Sequence, residues 1–215
     1  EIYTLSLHDA LPIYPTGGIV DDLILYRKSD GYFMVVNASN IQKNFDWLIE
    51  HKTENVNLKN VSEDYSLIAI QGPKSRDILS TYTHANLKMP FYTFEDALVC
   101  GYSVMVSRTG YTGELGFEIY GDANSLVYIW DELINAGVKP AGLAARDILR
   151  MEMKYCLYGN DIDKTTNPIE AGLSWITILS KGDFIGKDAL LEIKKNGSTR
   201  QLISFAMEER GIPRQ

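Results

Sequence analysis

The sequence predicts an α+β fold in which antiparallel strands and packed helices follow one another in no fixed order. Segments with the two-residue period of strands and segments with the 3.6-residue period of helices lack the regular repeat of a doubly wound sheet. The chain has 215 residues, 45% hydrophobic and 23% charged, as in globular proteins rather than disordered chains. One or two packed domains are therefore expected.

The opening segment, EIYTLSLHDALPI, has neither a helical stripe nor a clean strand alternation. Its back-translation resembles a widely used sequencing-library adapter. We therefore predict that residues 1–14 are a non-native segment, and we assign no function to His8 or Asp9. A divergent N-terminal strand is the alternative.

An ordered pattern begins at Gly17 with a predicted hairpin. Alternating residues over 19–26 predict a strand, the KSDG sequence at 28–31 predicts a turn, and residues 32–36 predict the returning strand. A helix to about residue 52 follows, because apolar residues recur there at helical spacing behind polar capping residues.

The remaining elements are predicted from the same periodicities and from the turn residues between them. Strands are expected at 66–70, 97–106, 116–120 and 201–207, and helices at 73–78, 124–135, 143–155 and 187–195. The sequence TGYTG at 109–113 joins two of these strands, because glycine accepts the positive φ of tight turns.

Charge and hydropathy exclude two classes of partner. The formal net charge of −7 disfavours nucleic acid, whose binding depends on clustered Lys and Arg. No apolar run is long enough to cross a bilayer, and no signal peptide precedes the first elements. The sequence therefore predicts a soluble protein of the cytoplasm, or of an organelle matrix such as that of mitochondria.

Histidine and cysteine are too sparse for several kinds of chemistry. The three histidines form no HExxH motif, so a zinc hydrolase or a histidine-activated nucleophile is poorly supported, and no metal site is predicted. Cys100 and Cys156 are expected to be reduced core residues. Carboxylates, Arg and Tyr remain to carry any chemistry.

Two adjacent carboxylates in the first predicted strand need an explanation. Alternation places Asp21 and Asp22 on opposite faces, each between apolar neighbours, although Asp is depleted in strands. Either one of them is functional, or they lie at a strand end and cap a turn. The local sequence leaves both alternatives open.

Two further features are equally open. Arg146 lies in the first turn of a predicted helix, where a cation opposes the helix dipole, so it is held for a partner or neutralised by Asp147. The TGYTG turn, followed by Glu114 and Glu118, is either a plain connection or part of a site. It is neither a dinucleotide fingerprint nor a phosphate loop.

Five blocks together resemble one family, the aminomethyltransferases of glycine cleavage, and they occur in that family's order. They are GGIVDDLILY (17–26), QGPKS (71–75), SRTGYTGELGFE (107–118), AGLAARDILRMEMKYCLYGNDI (141–162) and NPIEAGLSW (167–175). The resemblance implies a folate-binding core of mixed and antiparallel sheets over residues 15–199. It also implies that residues 200–215 begin a truncated C-terminal barrel domain and that the family's N-terminal segment is missing.

The resemblance implies an activity and its partners. An aminomethyl group on the dihydrolipoyl arm of a carrier protein, the H-protein, passes to tetrahydrofolate. The products are 5,10-methylenetetrahydrofolate, ammonia and the reduced arm. Because the substrate brings its own amine, a carboxylate that stabilises developing positive charge is sufficient.

The resemblance also assigns site residues. Asp22 falls on the catalytic aspartate, and Glu118 on the glutamate that accepts from the donor edge of the pterin. Other positions of the folate pocket fall on Tyr26, Asn37, Tyr111, Arg146 and Tyr155.

Related folate-binding proteins supply two alternatives. One is a folate-dependent demethylase. The other is a non-catalytic protein that assists iron-sulfur enzymes, but its KGCYxGQE motif is replaced here by KYCLYGND at 154–161.

Overall fold

A computed structural model describes residues 7–211 of the chain, with side chains from Ala10 onward. These residues form two compact units, one of residues 7–10 and 21–155, the other of residues 11–20 and 156–211. The domain boundaries predicted after residues 14 and 199 stay predictions.

The first unit contains two antiparallel sheets, which confirms the predicted α+β class. One sheet has the order β1-β2-β3 and the other the order β4-β7-β6-β5. The strands are β1 (Leu7–Ala10), β2 (Leu23–Lys28), β3 (Gly31–Val36), β4 (Ser66–Gln71), β5 (Phe94–Val99), β6 (Tyr102–Ser107) and β7 (Gly116–Gly121).

The start of the chain differs from the sequence prediction. The strand predicted at 19–26 begins only at Leu23, because Ile19 instead forms a single bridge with Ile13. Strand β1 pairs with β2 in the segment for which an N-terminal strand was only the alternative, since four residues are too few to show a periodic pattern. The adapter origin of residues 1–14 is a separate question and stays a prediction, and residues 1–6 lie outside the described residues.

The single strand predicted at 97–106 is wrong, because this segment contains a hairpin. Strands β5 and β6 are joined by a tight turn at Cys100 (φ 52°) and Gly101 (φ 85°). Apolar residues continue through the turn, so the hydrophobic pattern does not mark it. A cysteine with positive φ is uncommon, and only the adjacent glycine signals the turn.

The helices agree with the prediction except at their ends. They are α1 (Ile41–His51), α2 (Ser75–Leu79), α3 (Ala123–Asn135), α4 (Leu143–Glu152) and α5 (Lys187–Asn196). Helix α4 ends before residue 155, because Lys154 adopts a left-handed φ of 60°. Residues 201–207 are not a strand, since no neighbouring strand in the described chain pairs with them.

Alternation in the central strand β7 places a polar site next to a core. Phe117 and Ile119 belong to the main core, which α3 also joins. Tyr120 points to the opposite face and packs with Tyr26, Phe94 and Met105, which links the two sheets. Glu118 shares the face of Tyr120, so its carboxylate is enclosed within the first unit.

The second unit has a separate core around Ile13, Ile19, Ile162 and Leu190. In the C-terminal part of this unit, Glu170 forms a 3.0 Å ion pair with Arg200. Among the described residues, no helix is both long enough and apolar enough to span a bilayer.

Candidate functional site

All residues predicted to form the site lie in the first unit. They fall into two groups of polar side chains and one aromatic stack. The aspartate cluster consists of Asp21, Asp22, Asn37 and Asn44. The Glu118 cluster consists of Tyr26, Ser107, Thr109, Glu118 and Tyr120.

The β2–β3 hairpin builds the aspartate cluster. Its register pairs Leu23 with Val36, so the next residues outward, Asp22 and Asn37, come together. The Asn37 amide nitrogen then donates to Oδ1 of Asp21 and to Oδ1 of Asp22, each at 2.9 Å. One amide group therefore bridges both carboxylates.

The two aspartates have different surroundings. Asp21 has 0% exposure and accepts from the Asn44 amide at 2.5 Å and from the backbone N–H of Asp22 at 3.0 Å. Asp22 is only half-buried. Both precede β2, which agrees with the strand-end alternative, but only Asp21 has the fully buried environment of a structural residue.

Lys43 adds a positive group near this cluster. Burial lowers the pKa of the Lys43 amine, while the carboxylates of Asp21 and Asp22 oppose that shift. The two negative charges therefore lie close to a cation carried by α1.

The register of β6 and β7 builds the Glu118 cluster. Ser107 lies directly opposite Glu118, and Thr109 follows two residues later. The Thr109 hydroxyl donates to Oε2 of Glu118 at 2.5 Å, and the Tyr120 hydroxyl donates to the same oxygen at 3.4 Å. No hydrogen bond within the described chain reaches Oε1 of Glu118, so this oxygen is available to a ligand.

Burial governs the electrostatics of Glu118, which is 8% exposed. Desolvation raises the pKa of Glu118, and the hydroxyl of Thr109, the charge of Arg146 and the hydroxyl of Tyr120 oppose the rise. Glu114, by contrast, is exposed on the adjoining turn. Of the two glutamates after the TGYTG turn, only Glu118 is buried and held by neighbouring hydroxyl groups.

Tyr26 is more deeply buried than a residue that contacts a ligand is expected to be. It has 0% exposure, and its hydroxyl lies 3.2 Å from Ser107 Oγ and 3.1 Å from the Tyr120 hydroxyl. Burial is the largest cause of its raised pKa. Its contact in this structure is with the groups that hold Glu118.

The other three predicted residues form an aromatic stack topped by a cation. The Tyr111 and Tyr155 rings are stacked with centroids 5.6 Å apart, and the Arg146 guanidinium lies 4.5 Å from the Tyr111 centroid. Asp147 pairs with Arg150 at 2.7 Å rather than with Arg146. Local neutralisation of Arg146 is therefore wrong, and Arg146 has no ion-pair partner in the described part of the chain.

Comparison with known proteins identifies the family. A model of the GCVT N-terminal domain family matches residues 8–181. The chain belongs to this family. The match confirms the resemblance in the five sequence blocks.

The GCVT N-terminal domain has similar relatives among curated proteins and solved structures. The aminomethyltransferase of Halothermothrix orenii is 48% identical over 204 residues, which cover 92% of this chain and 57% of the relative. That of Chloroherpeton thalassium is 50% identical over 213 residues, 96% of this chain and 59% of the relative. The crystal structure of the glycine cleavage system aminomethyltransferase T from Bartonella henselae superposes with a TM-score of 0.78 at 32% identity, covering 92% of this chain and 55% of that one. The chain thus spans a little over half the length of these relatives.

Some supporting residues of this GCVT N-terminal domain escaped the sequence analysis. Gln71, from the QGPKS block, donates to the backbone oxygens of Thr109 and Phe117 at 3.3 and 3.2 Å, so it fixes the turn before Glu118. Arg150 is buried and donates to the Tyr155 carbonyl at 3.0 Å. The sequence did not single out Gln71 or Arg150, because a polar residue by itself does not reveal its partner. The Gln71 contacts join residues distant in sequence, and the Arg150 contact reaches a residue outside the helix.

Side chains that could ligate a metal do not cluster in the part of the GCVT N-terminal domain that the structure describes. No group of three or more His, Cys, Asp or Glu side chains lies close enough there to hold an ion. The polar groups brought together at the site are carboxylates, tyrosines and the guanidinium of Arg146.

Proposed function

We propose that this chain forms the folate-binding part of an aminomethyltransferase of glycine cleavage. The reaction moves an aminomethyl group from the dihydrolipoyl arm of a carrier protein to tetrahydrofolate. It yields 5,10-methylenetetrahydrofolate, ammonia and the reduced lipoyl arm. The partners are the lipoyl carrier, or H-protein, and the other components of the glycine cleavage system.

The observation that carries this proposal is the buried carboxylate of Glu118. Its Oε2 is held by two hydroxyls, and its Oε1 is available. A carboxylate oxygen has two lone pairs, so Oε1 can accept hydrogen bonds from the donor edge of a pterin ring. Apolar surroundings strengthen such hydrogen bonds, because competing water is excluded.

Asp22 is the residue proposed to act on the transferred group. It is half-buried and held by Asn37, so its charge is oriented but still accessible. A fixed carboxylate stabilises positive charge that develops on an amine-bearing carbon, without any reorganisation during the reaction. The Asn37 amide nitrogen is committed to the two aspartates, so only its oxygen is left for a ligand.

Arg146, Tyr111 and Tyr155 are proposed to complete the folate site. The stacked rings offer a flat surface to an aromatic ligand, and Arg146 offers a cation to the carboxylate or carbonyl groups of folate.

Calorimetric titration of the chain with tetrahydrofolate tests the binding half of the proposal. We expect the wild type to bind, and Glu118→Gln to bind about 10-fold or more weakly, because an amide presents a donor to a donor edge. Glu114→Gln is the matched control and should keep the wild-type affinity. No binding by the wild type, or equal affinities for all three proteins, would refute the proposal.

The transfer half is tested on a chain extended to the full length of its relatives. Supplied with an aminomethylated lipoyl carrier and tetrahydrofolate, it should release ammonia and form methylenetetrahydrofolate. Product formation from a methylated amine instead of the carrier would favour a demethylase.

A further inference from the structure

We propose that Thr109 is a positioning residue that, together with Tyr120, holds Oε2 of Glu118 and leaves Oε1 for the ligand. The identity of that ligand, a folate, rests on the proposed function. The hydrogen-bond geometry around Glu118 does not.

Five side chains form a ring of close polar contacts, and its four hydroxyl protons allow four of the five contacts to be hydrogen bonds at one time. Thr109 Oγ1 lies 2.5 Å from Glu118 Oε2 and 2.9 Å from Ser107 Oγ. Tyr26 continues the ring, with its hydroxyl 3.2 Å from Ser107 and 3.1 Å from Tyr120. Tyr120 closes it at 3.4 Å from Glu118 Oε2.

The number of protons limits which hydroxyl in this ring donates to which acceptor. Each hydroxyl has one proton to donate, and an ionised carboxylate only accepts. If Thr109 and Tyr120 both donate to Oε2, Ser107 can donate to Thr109 and Tyr26 can donate to Tyr120. All four protons are then used, and the fifth contact, between Tyr26 and Ser107 at 3.2 Å, has no proton of its own. Both donors to Oε2 stabilise negative charge on Glu118.

Thr109 acts through Glu118 rather than on a ligand itself. It is 3% exposed, which leaves almost no surface for a ligand. Tyr26 is equally enclosed, so the ring assigns it a supporting role through Tyr120 instead of the direct ligand contact implied by the family resemblance.

The charged and titratable groups that act on Glu118 come from three sides. Tyr120 lies on the same strand, Tyr26 belongs to β2, and Arg146 belongs to α4. Burial raises the pKa of both tyrosines, so they are neutral donors at physiological pH. Arg146 and the two hydroxyl donors therefore oppose the desolvation of Glu118.

The direct test is a ¹³C NMR titration of the Glu118 carboxyl group in the labelled chain, assigned by the signal that Glu118→Gln removes. Thr109→Val keeps the shape but deletes the donor, so it should raise the pKa of Glu118 by about one pH unit. Thr109→Ser should restore the wild-type value. An unchanged pKa in Thr109→Val would overturn the proposal.

Two further variants separate positioning from a general loss of structure. Thr81→Val is the matched control, because the Thr81 hydroxyl donates to the backbone oxygen of Ile78 at 2.8 Å and has no contact with the ring. It should leave the Glu118 titration unchanged. If Thr109→Val does not fold, Tyr120→Phe removes the other donor and should raise the same pKa; no rise there would also refute the ring.

Tetrahydrofolate titrations across pH link the ring to binding. Affinity should fall as Glu118 gains its proton, and Thr109→Val should move that fall to higher pH. A shifted pKa with unchanged affinity at every pH would mean that the ring does not serve the ligand. A shifted pKa in a chain that binds no tetrahydrofolate would refute the proposed function and leave the positioning role standing.

Discussion

At the scale of single residues, two identical side chains have different surroundings. Asp21 and Asp22 are adjacent, and Asn37 donates to both. Asp21 is completely enclosed and accepts from a second amide, that of Asn44. Asp22 keeps exposed surface. The proposed division is therefore that Asp21 orients and Asp22 reacts.

Asp22→Asn tests this division in the full-length protein. The amide keeps the shape of the side chain but removes the charge, so tetrahydrofolate binding should persist while transfer falls by about 100-fold or more. Ammonia release from the aminomethylated carrier measures the transfer rate. Near-normal turnover would remove Asp22 from the mechanism.

Asp21→Asn is the matched comparison for that experiment. Its new amide donor would face the donors of Asn37 and Asn44 in a buried site, so the main effect should be on folding. We expect a loss of about 1–3 kcal/mol in the free energy of unfolding, measured by urea denaturation.

Glu118 should make stability depend on pH. Burial raises its pKa above the ordinary value of 4.5, so the folded protein keeps a proton that the unfolded chain has lost. Stability should therefore fall as pH rises from the ordinary pKa to the raised one. Glu118→Gln has no such proton, so its stability relative to wild type should improve between two pH values, one near the ordinary pKa and one above the raised pKa. Parallel urea unfolding curves at the two pH values measure this, and an equal difference at both would contradict it.

At the scale of elements, the turn between β6 and β7 decides where the site residues lie. Gly113 has φ 74°, and a Cβ there would lie 2.4 Å from the Met153 sulfur. Met153 immediately follows α4 and is two residues from Tyr155. The turn glycine therefore lets the Tyr111 segment approach the end of the helix that carries Arg146.

Gly113→Ala should lose stability for two reasons, backbone strain and the clash with Met153. Gly137→Ala is the control, since Gly137 has φ 86° but no neighbour within 4 Å of an added Cβ. We expect Gly137→Ala to cost about 1 kcal/mol and Gly113→Ala to cost more, with weaker tetrahydrofolate binding only in Gly113→Ala. Thermal denaturation and calorimetry measure the two effects, and equal losses would argue against the close approach.

At the scale of the whole molecule, exposed apolar side chains lie on both units. In the first unit, α4 exposes Leu143 by 84% and Ile148 by 55%. In the second unit, Ile203 is 72% exposed and Phe205 is 71% exposed. Clusters of this kind on a protein surface promote association.

We therefore expect the chain to self-associate in a concentration-dependent manner. The double variant Ile203→Glu/Phe205→Glu should reduce the weight-average mass seen by sedimentation or light scattering. Tyr32→Glu is the control, because Tyr32 is also an exposed apolar residue, at 68% exposure. It lies in the first unit and is distant in sequence from the exposed residues of α4 and from residues 203–205. A wild-type chain that stays monomeric at all concentrations would refute this expectation.

The sequence by itself determined the fold class and the order of most elements, and its resemblance to one family proposed the polar residues of the site. Local periodicity is a strong signal for long elements such as α3, and the five sequence blocks identified the family before any contact was known. The periodicity gave wrong predictions at two places. The β5–β6 turn lies inside an apolar run, and residues 201–207 have a strand-like pattern but no partner strand in the described chain.

Only the tertiary structure decided the surroundings of each proposed site residue. Sequence could not distinguish Asp21 from Asp22, or Glu114 from Glu118, because each pair has the same chemistry. Burial and hydrogen bonds between distant segments distinguish the members of each pair. The pairing of Asp147 with Arg150 and the enclosure of Tyr26 are also visible only in the folded chain. Such differences arise from desolvation and from the register of paired strands, and both are properties of the folded chain.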